Sequence, residues 1–476
     1  MNLRACLMTC SLLALFAARS LPAQDSVHPI AAQIDELLTR SYAADAPGAA
    51  VIVVHRGEVV FRKGYGLANA ELGVAMKPEH IFRIGSITKQ FTAIAILQLV
   101  EAGKVALDDD ITKYVPEVQT GGQRITIAQL LTHTSGIPSF TDQAAWRAQP
   151  RKDMTLADEL EFIKDKPLHF SPGTDWRYSN TGYRLLGAVV EKASGQTYAD
   201  YVSDQLFKPA GMTSSSYDDT SRIIPHRIPG YSFARTGFSH SPFVSMTQPH
   251  GAGALLSSVD DLWKWDQALS AGKILNAKRV DEAFTSGRLV DGRAAGYGYG
   301  WTLGSIGGHP SAEHGGGIQG FATYALRVPA AGLFVAVLCN ADNPRTAPGS
   351  VAVRIAKLFL ADPPAAAVNI PPETLRSYAG VFRASPTQKF ELAVDGERLV
   401  LKEPRGRSTP LDAVSATAFR VTANDTQYEL NAGKDGPLQV RVKPRLGLER
   451  LASRVDEETG VNTVATSLGD ISLTSC

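Results

Sequence analysis

The sequence predicts an α/β fold: an antiparallel sheet flanked by helices, with a helical subdomain, followed by a small all-β, barrel-like domain. Three observations predict it. Strand-like runs stand at both ends of residues 24–361, and the text between them is mostly helical, with long Gly/Pro-punctuated loops. A Pro/Ala stretch, Asp362-Pro363-Pro364-Ala365-Ala366-Ala367, then changes the composition, and Pro371-Pro372 follows it, as in a linker. Beyond it, apolar and polar residues alternate with period two. A chain of 476 residues is also too long for one ordinary domain.

Taken in order, Arg4 and the apolar run Ala5 to Ala18 lead to Leu21-Pro22-Ala23, the layout of a secretory signal over residues 1–23. This predicts a periplasmic or secreted protein. No other apolar stretch is long enough to span a bilayer, so no membrane span is expected in the mature chain. From residue 24 to about 45, Ile30, Ile34, Leu37 and Leu38 form one helical stripe. Ala49 to His55 and Glu58 to Lys63, joined at Arg56-Gly57, read as a hairpin. Further strand text covers Gly296 to Leu303 and Gly320 to Val337. The linker is placed at 362–373 and the β domain at 374–453. There Phe390, Leu392 and Val394 alternate, Asp395-Gly396 turns the chain, and Leu399 and Leu401 resume. Short strands follow at Ala418-Val421, Gln427-Leu430, Leu438-Val442 and Gly447-Leu451. Residues 454–476 form a polar tail.

Composition excludes several function classes. With 44% hydrophobic and 20% charged residues the chain can build an ordinary core, so wholesale disorder is not indicated. The formal charge is +1 without a basic stripe, which argues against a nucleic-acid partner. Neither CxxC pairs nor HExxH occur, so no metal is expected, and no cofactor. Cys6 and Cys10 leave with the signal. Cys339 reads as a buried strand residue, Cys476 ends the chain, and their pairing is left open.

The segment Arg83-Ile84-Gly85-Ser86-Ile87-Thr88-Lys89 runs into text that is apolar nearly all round to Val100, as in a helix buried at the centre of a domain, with Gly103 as a stop. Ser86 starts that helix and Lys89 shares its face three residues on. A serine there is also the ordinary N-cap residue. Lys89 is the unusual member. The first turn of a helix carries positive partial charge, so the dipole and desolvation both work against its ammonium. A neutral lysine can accept the serine proton, which is the activation a hydroxyl nucleophile needs.

Two further segments carry candidate chemistry. Pro172-Gly173-Thr174-Asp175-Trp176-Arg177-Tyr178-Ser179-Asn180 is a turn-rich loop ahead of a helix with Tyr183, Leu186, Val189 and Val190. Tyr178 and Asn180 are two apart and can point into one cleft, with Tyr178 as a base beside Lys89 and Asn180 as a donor to a substrate carbonyl or a partner of Lys89. Packing for Tyr178 and helix capping for Asn180 are the plainer roles. In Glu313-His314-Gly315-Gly316-Gly317-Ile318, ahead of strand text, side-chain-free residues let a substrate lie along a strand edge. A backbone N–H there can complete an oxyanion hole with that of Ser86. A flexible glycine hairpin is the alternative.

In this order, S-x-x-K, Y-x-N and H-x-G resemble the serine β-lactamase and penicillin-binding-protein superfamily, in its class C β-lactamase-like branch, which also holds DD-peptidases, esterases and D-amino-acid peptidases. The resemblance spans roughly residues 30–360 and extends to Leu130-Leu131-Thr132-His133-Thr134-Ser135-Gly136-Ile137-Pro138 and to Tyr297-Gly298-Tyr299-Gly300-Trp301. The β tail also looks like a domain often appended in that branch. The resemblance implies Ser86 as nucleophile, Lys89 and Tyr178 as the base pair, and Asn180, His314, Gly316 and Gly317 as substrate-binding residues, with the N–H groups of Ser86 and Gly317 as oxyanion hole. It implies a structural loop for His133 and Ser135.

The pattern departs at His314, where β-lactamases of this branch usually carry lysine. Lysine is a fixed positive charge for a substrate carboxylate. Histidine supplies one only when protonated, about pH 6.5 if unperturbed. The expectation is therefore an acyl-serine hydrolase of a small-molecule or peptide amide or ester, with poor β-lactam turnover. The alternatives are a DD-peptidase or penicillin-binding protein, and a non-catalytic sensor homologue.

Overall fold

The structure, a computed structural model, describes residues 30–360 apart from 235–236, residue 368, and residues 370–385, 388–402, 408–422, 424–431 and 437–455. The expected signal segment, most of the linker, and the tail from 456 with Cys476 lie outside the described residues. Among those described, no helix is long and apolar enough to cross a membrane.

Helix α1 (Ala31–Ser41) buries Ile34 and Leu38 of the predicted stripe. The hairpin follows as β1 (Ala49–His55) and β2 (Glu58–Tyr65), turning through positive φ at both Arg56 and Gly57. The same sheet is completed far along the chain by β3 (Thr302–Ile306), β4 (His309–Ile318), β5 (Phe321–Val328) and β6 (Leu333–Cys339). Its order is β3-β4-β5-β6-β1-β2, antiparallel throughout. Strand β1 is apolar at consecutive positions because both of its faces are covered. Ala50, Ile52 and Val54 join the larger core, while Ala49, Val51 and Val53 join a second one. The larger core is built around α2 (Thr88–Glu101) and α3 (Asn180–Ser194) of the helical subdomain. The second is built with α1 and α4 (Pro348–Phe359).

Three strand expectations are refined. The text from Gly296 begins as a loop and becomes strand only at Thr302. The stretch from Gly320 to Val337 is two strands, parted at Pro329 and turned at Gly332, whose φ is +61°. The Gly315–Gly317 run, read ahead of strand text, lies inside β4, because ladder pairing to Tyr324, Thr323 and Ala322 of β5 holds it there.

The second unit opens with α5 (Pro372–Tyr378), where proline is tolerated in the first turn. Leu375 of that helix enters the β domain's core. Nine antiparallel strands follow: β7 (Gly380–Ser385), β8 (Gln388–Asp395), β9 (Arg398–Lys402), β10 (Ser408–Pro410), β11 (Asp412–Ala413), β12 (Ala418–Val421), β13 (Thr426–Asn431), β14 (Gln439–Lys443) and β15 (Arg450–Val455). Their order is β10-β9-β8-β7-β15-β14-β13-β12-β11. The two end strands are separated in sequence only by Leu411, so the sheet curls into a nearly closed barrel. Phe382, Phe390, Leu392, Phe419 and Tyr428 fill it, and the period-two pattern of the sequence is its inward face.

Candidate active site

Ser86 sits in a tight turn, Gly85–Ile87, that runs directly into α2. The turn needs glycine at 85: φ is +51°, and a Cβ there would lie 2.9 Å from the nitrogen of Gly317 on β4. The turn and the glycine strand are thereby pressed together. Gly316 makes the same contact from the other side, since a Cβ on it would lie 1.9 Å from the carbonyl oxygen of Ile84. Thr323 Oγ donates to that carbonyl at 2.9 Å, tying β5 to the approach to Ser86.

Lys89 is fully buried, as the all-apolar helix text requires. Its Nζ is 2.8 Å from Asn180 Oδ1, 2.8 Å from the carbonyl oxygen of Ala252 and 3.1 Å from Ser86 Oγ. Two of these three neighbours can only accept. They take two N–H bonds, and Ser86 Oγ lies on a further side of the amine. The serine hydroxyl can either accept from Nζ or donate to it, so the amine lies within reach of the Ser86 proton.

Asn180 is held beside Lys89. Ser179, not Asn180, caps α3, accepting from Gly182 N. Asn180 is left to accept from Lys89 with Oδ1 and to donate through Nδ2 to Thr141 Oγ at 3.0 Å. The Tyr178 ring centroid is 4.8 Å from Lys89 Nζ, so Tyr178 lies beside the amine.

His314 stands differently from its sequence expectation. The imidazole is 2% exposed. The carbonyl oxygen of Gly315 faces Nδ1 at 2.5 Å, so Nδ1 carries the proton and Nε2 accepts from the Tyr297 hydroxyl at 2.8 Å. Burial, and secondly the charge of Lys89, push its pKa down to about 3, well below the ordinary 6.5. It is a neutral group turned toward Tyr297, and it presents no titrating charge near neutral pH.

Sequence reasoning passed over two residues that the fold brings to this centre. His133 adopts φ of +61° and packs its ring 4.3 Å from Tyr178 and 4.6 Å from Tyr297. Its Nδ1 accepts from Ser179 N, and burial holds it neutral. Tyr297 is the hydroxyl partner of His314. Both lie in strings that carried the family resemblance, which was the one signal available for them.

A cleft of about 350 Å³ opens over Ser86, with Asn180 and Gly317 beside it. Its other walls are largely apolar, among them Phe140, Trp146 and Ile318. Tyr178, His314 and Gly316 are not among the residues that line it. Among the described residues no cluster of side chains is suited to hold a metal ion.

Residues 31–358 match the family model described as Beta-lactamase. Penicillin-binding protein 4* of Bacillus subtilis (strain 168) is 27% identical over 81% of this chain and 90% of its own length. The octameric penicillin-binding protein homologue from Pyrococcus abyssi superposes with a TM-score of 0.61 at 27% identity, covering 89% of this chain and 99% of that one. A D-stereospecific amidohydrolase from Streptomyces sp. superposes with a TM-score of 0.59 at 28% identity, covering 68% of this chain and 97% of its own.

Proposed function

Because this chain belongs to the beta-lactamase family, we propose that it is an exported serine hydrolase that cleaves an amide, peptide or ester bond through an acyl-enzyme on Ser86. The observation that carries the reading is the setting of Lys89: a fully buried amine in contact with Ser86 Oγ and held there by the Asn180 side chain and the Ala252 carbonyl.

In the first half-reaction the Ser86 oxygen attacks the substrate carbonyl carbon while its proton passes to Lys89 Nζ. Negative charge develops on the carbonyl oxygen, and the N–H groups of Ser86 and Gly317, bordering one cleft, are the donors for it. The bond from carbonyl carbon to nitrogen or alkoxy oxygen then breaks, and the leaving group takes a proton relayed from Lys89 by Tyr178. In the second half-reaction water gives its proton to the same pair, adds to the acyl carbon and releases the acid, returning the hydrogen to Ser86.

The apolar walls favour a substrate with a hydrocarbon or aromatic group beside the scissile carbonyl. A neutral, buried His314 gives a carboxylate no anchor, which supports slow β-lactam turnover. The Streptomyces amidohydrolase makes D-configured amides the first peptide-like substrates to try. The second reading, a penicillin-binding protein acylated without turnover, is favoured by the Bacillus relative. Export rests on the sequence of residues 1–23. A panel of p-nitrophenyl esters, D-amino-acid amides, D-Ala-D-Ala peptides and nitrocefin, run beside fluorophosphonate and fluorescent-penicillin labelling, tests the reading. Turnover of esters or amides lost in Ser86→Ala supports it. Stable penicillin labelling without turnover of any substrate replaces it with the second reading. No labelling by either reagent overturns both.

A further inference from the structure

We propose that the C-terminal β domain is part of the working enzyme, with Arg445 as a positioning residue that holds the third-motif strand in place by neutralising Glu313. Glu313 directly precedes His314 on β4 and is fully buried. Consecutive strand residues face opposite sides, so Glu313 lies behind the sheet layer that carries the site. Its carboxylate accepts from Ser311 Oγ at 2.6 Å and from Tyr324 OH at 2.5 Å, both neutral donors. The positive charge comes from the other domain: Arg445 Nη1 is 2.7 Å from Glu313 Oε1.

The backbone around Arg445 is fitted to the same place. Residues 444–449 join β14 to β15 and lie along the edge strand β3, where Ser305 N donates to the Arg445 carbonyl at 3.2 Å. Gly304 admits the approach, because a Cβ on it would sit 1.9 Å from that carbonyl oxygen. On the other flank a Cβ on Gly296 would lie 2.0 Å from the oxygen of Gly447, and Glu449 N donates to Ala294 O at 3.1 Å. Gly296 is followed by Tyr297, the partner of His314. One loop of the β domain thus braces both the strand that carries His314 and Gly317 and the loop that carries Tyr297. Removing one partner of a buried ion pair leaves an uncompensated charge in the interior, which is relieved by protonation of Glu313 or by movement of the strand that bears it, and either one alters the support behind His314.

The inference rests on the hydrolase reading and is tested on the full chain with whichever ester or amide the wild type turns over. Arg445→Met is expected to lower kcat by about tenfold or more with KM little changed. Arg445→Lys should keep most of the rate. Arg445→Met combined with Glu313→Gln, which removes the stranded charge, should recover much of kcat. Lys443→Met, which breaks an ion pair with Glu429 inside the β domain, is the control and should leave the rate unchanged. If Arg445→Met keeps wild-type kcat, or if Glu313→Gln fails to restore it while both proteins remain folded by circular dichroism, the positioning role is overturned. A wild type inert on every substrate is a different result, and it removes the hydrolase reading first.

Discussion

The Tyr297 hydroxyl donates to His314 Nε2 across 2.8 Å in a site closed to solvent, and the imidazole is thereby fixed as a neutral acceptor. His314 keeps a pKa of about 3 in the fold against 6.5 ordinarily. Between those values the unfolded chain binds a proton that the folded chain refuses. Folding stability therefore falls as pH drops below about 6.5, by up to about 1.4 kcal/mol per pH unit from this residue. Urea unfolding at pH 7 and pH 5 should show the loss, and His314→Gln should reduce it by about one proton's worth. The same shift predicts a kcat/KM profile with no step from His314 between pH 5 and 8. A step there that vanishes in His314→Gln would contradict the assignment.

Tyr297→Phe removes the hydroxyl and leaves Nε2 of His314 buried without its donor. A stranded buried acceptor costs about 1–3 kcal/mol. Thermal unfolding should register that loss, together with a fall in kcat as the ring is freed to turn. Unchanged stability and rate would mean that the contact is incidental.

Ser86→Ala should abolish acyl-enzyme formation and turnover while the Tm stays close to that of the wild type, since one buried hydroxyl is removed from a turn held by Gly85 and Gly317. Loss of a nucleophile costs many orders of magnitude in rate. Intact-mass detection of the acyl adduct in the wild type and its disappearance in the variant is the direct check.

Lys89→Arg should be nearly inactive, because a guanidinium keeps its proton and cannot receive that of Ser86. Asn180→Asp tests the same point from outside. It places a carboxylate where an amide oxygen now accepts from Nζ at 2.8 Å, favouring a permanent ammonium. A drop in kcat of about a hundredfold or more is expected, within the usual range for losing a general base. Substantial activity in both variants would leave Tyr178 as the base.

Trp146→Ala opens the apolar wall of the cleft. Burial of an aromatic group against that wall is worth about 1.5–3 kcal/mol, so KM for aromatic acyl esters should rise about tenfold or more while acetyl esters change little. Equal effects on both ester classes would place the acyl group elsewhere.

Local pattern carried far in this protein. The helix at Ser86, the first hairpin and the β domain's alternation are short-range consequences of periodicity and turn residues, and the paired spacings of Ser86 with Lys89 and of Tyr178 with Asn180 follow from the pitch of helix and loop. The sequence by itself thus determined the pairing of Ser86 with Lys89 at the head of a buried helix and the two-part architecture. Tertiary structure decided the rest, because burial and proximity are set by residues distant along the chain. It turned His314 from a titrating anchor into a neutral acceptor, since Tyr297 and the sheet desolvate it. It brought His133 beneath Tyr178. It laid Arg445 against Glu313, 132 residues away, a pairing that no local pattern encodes.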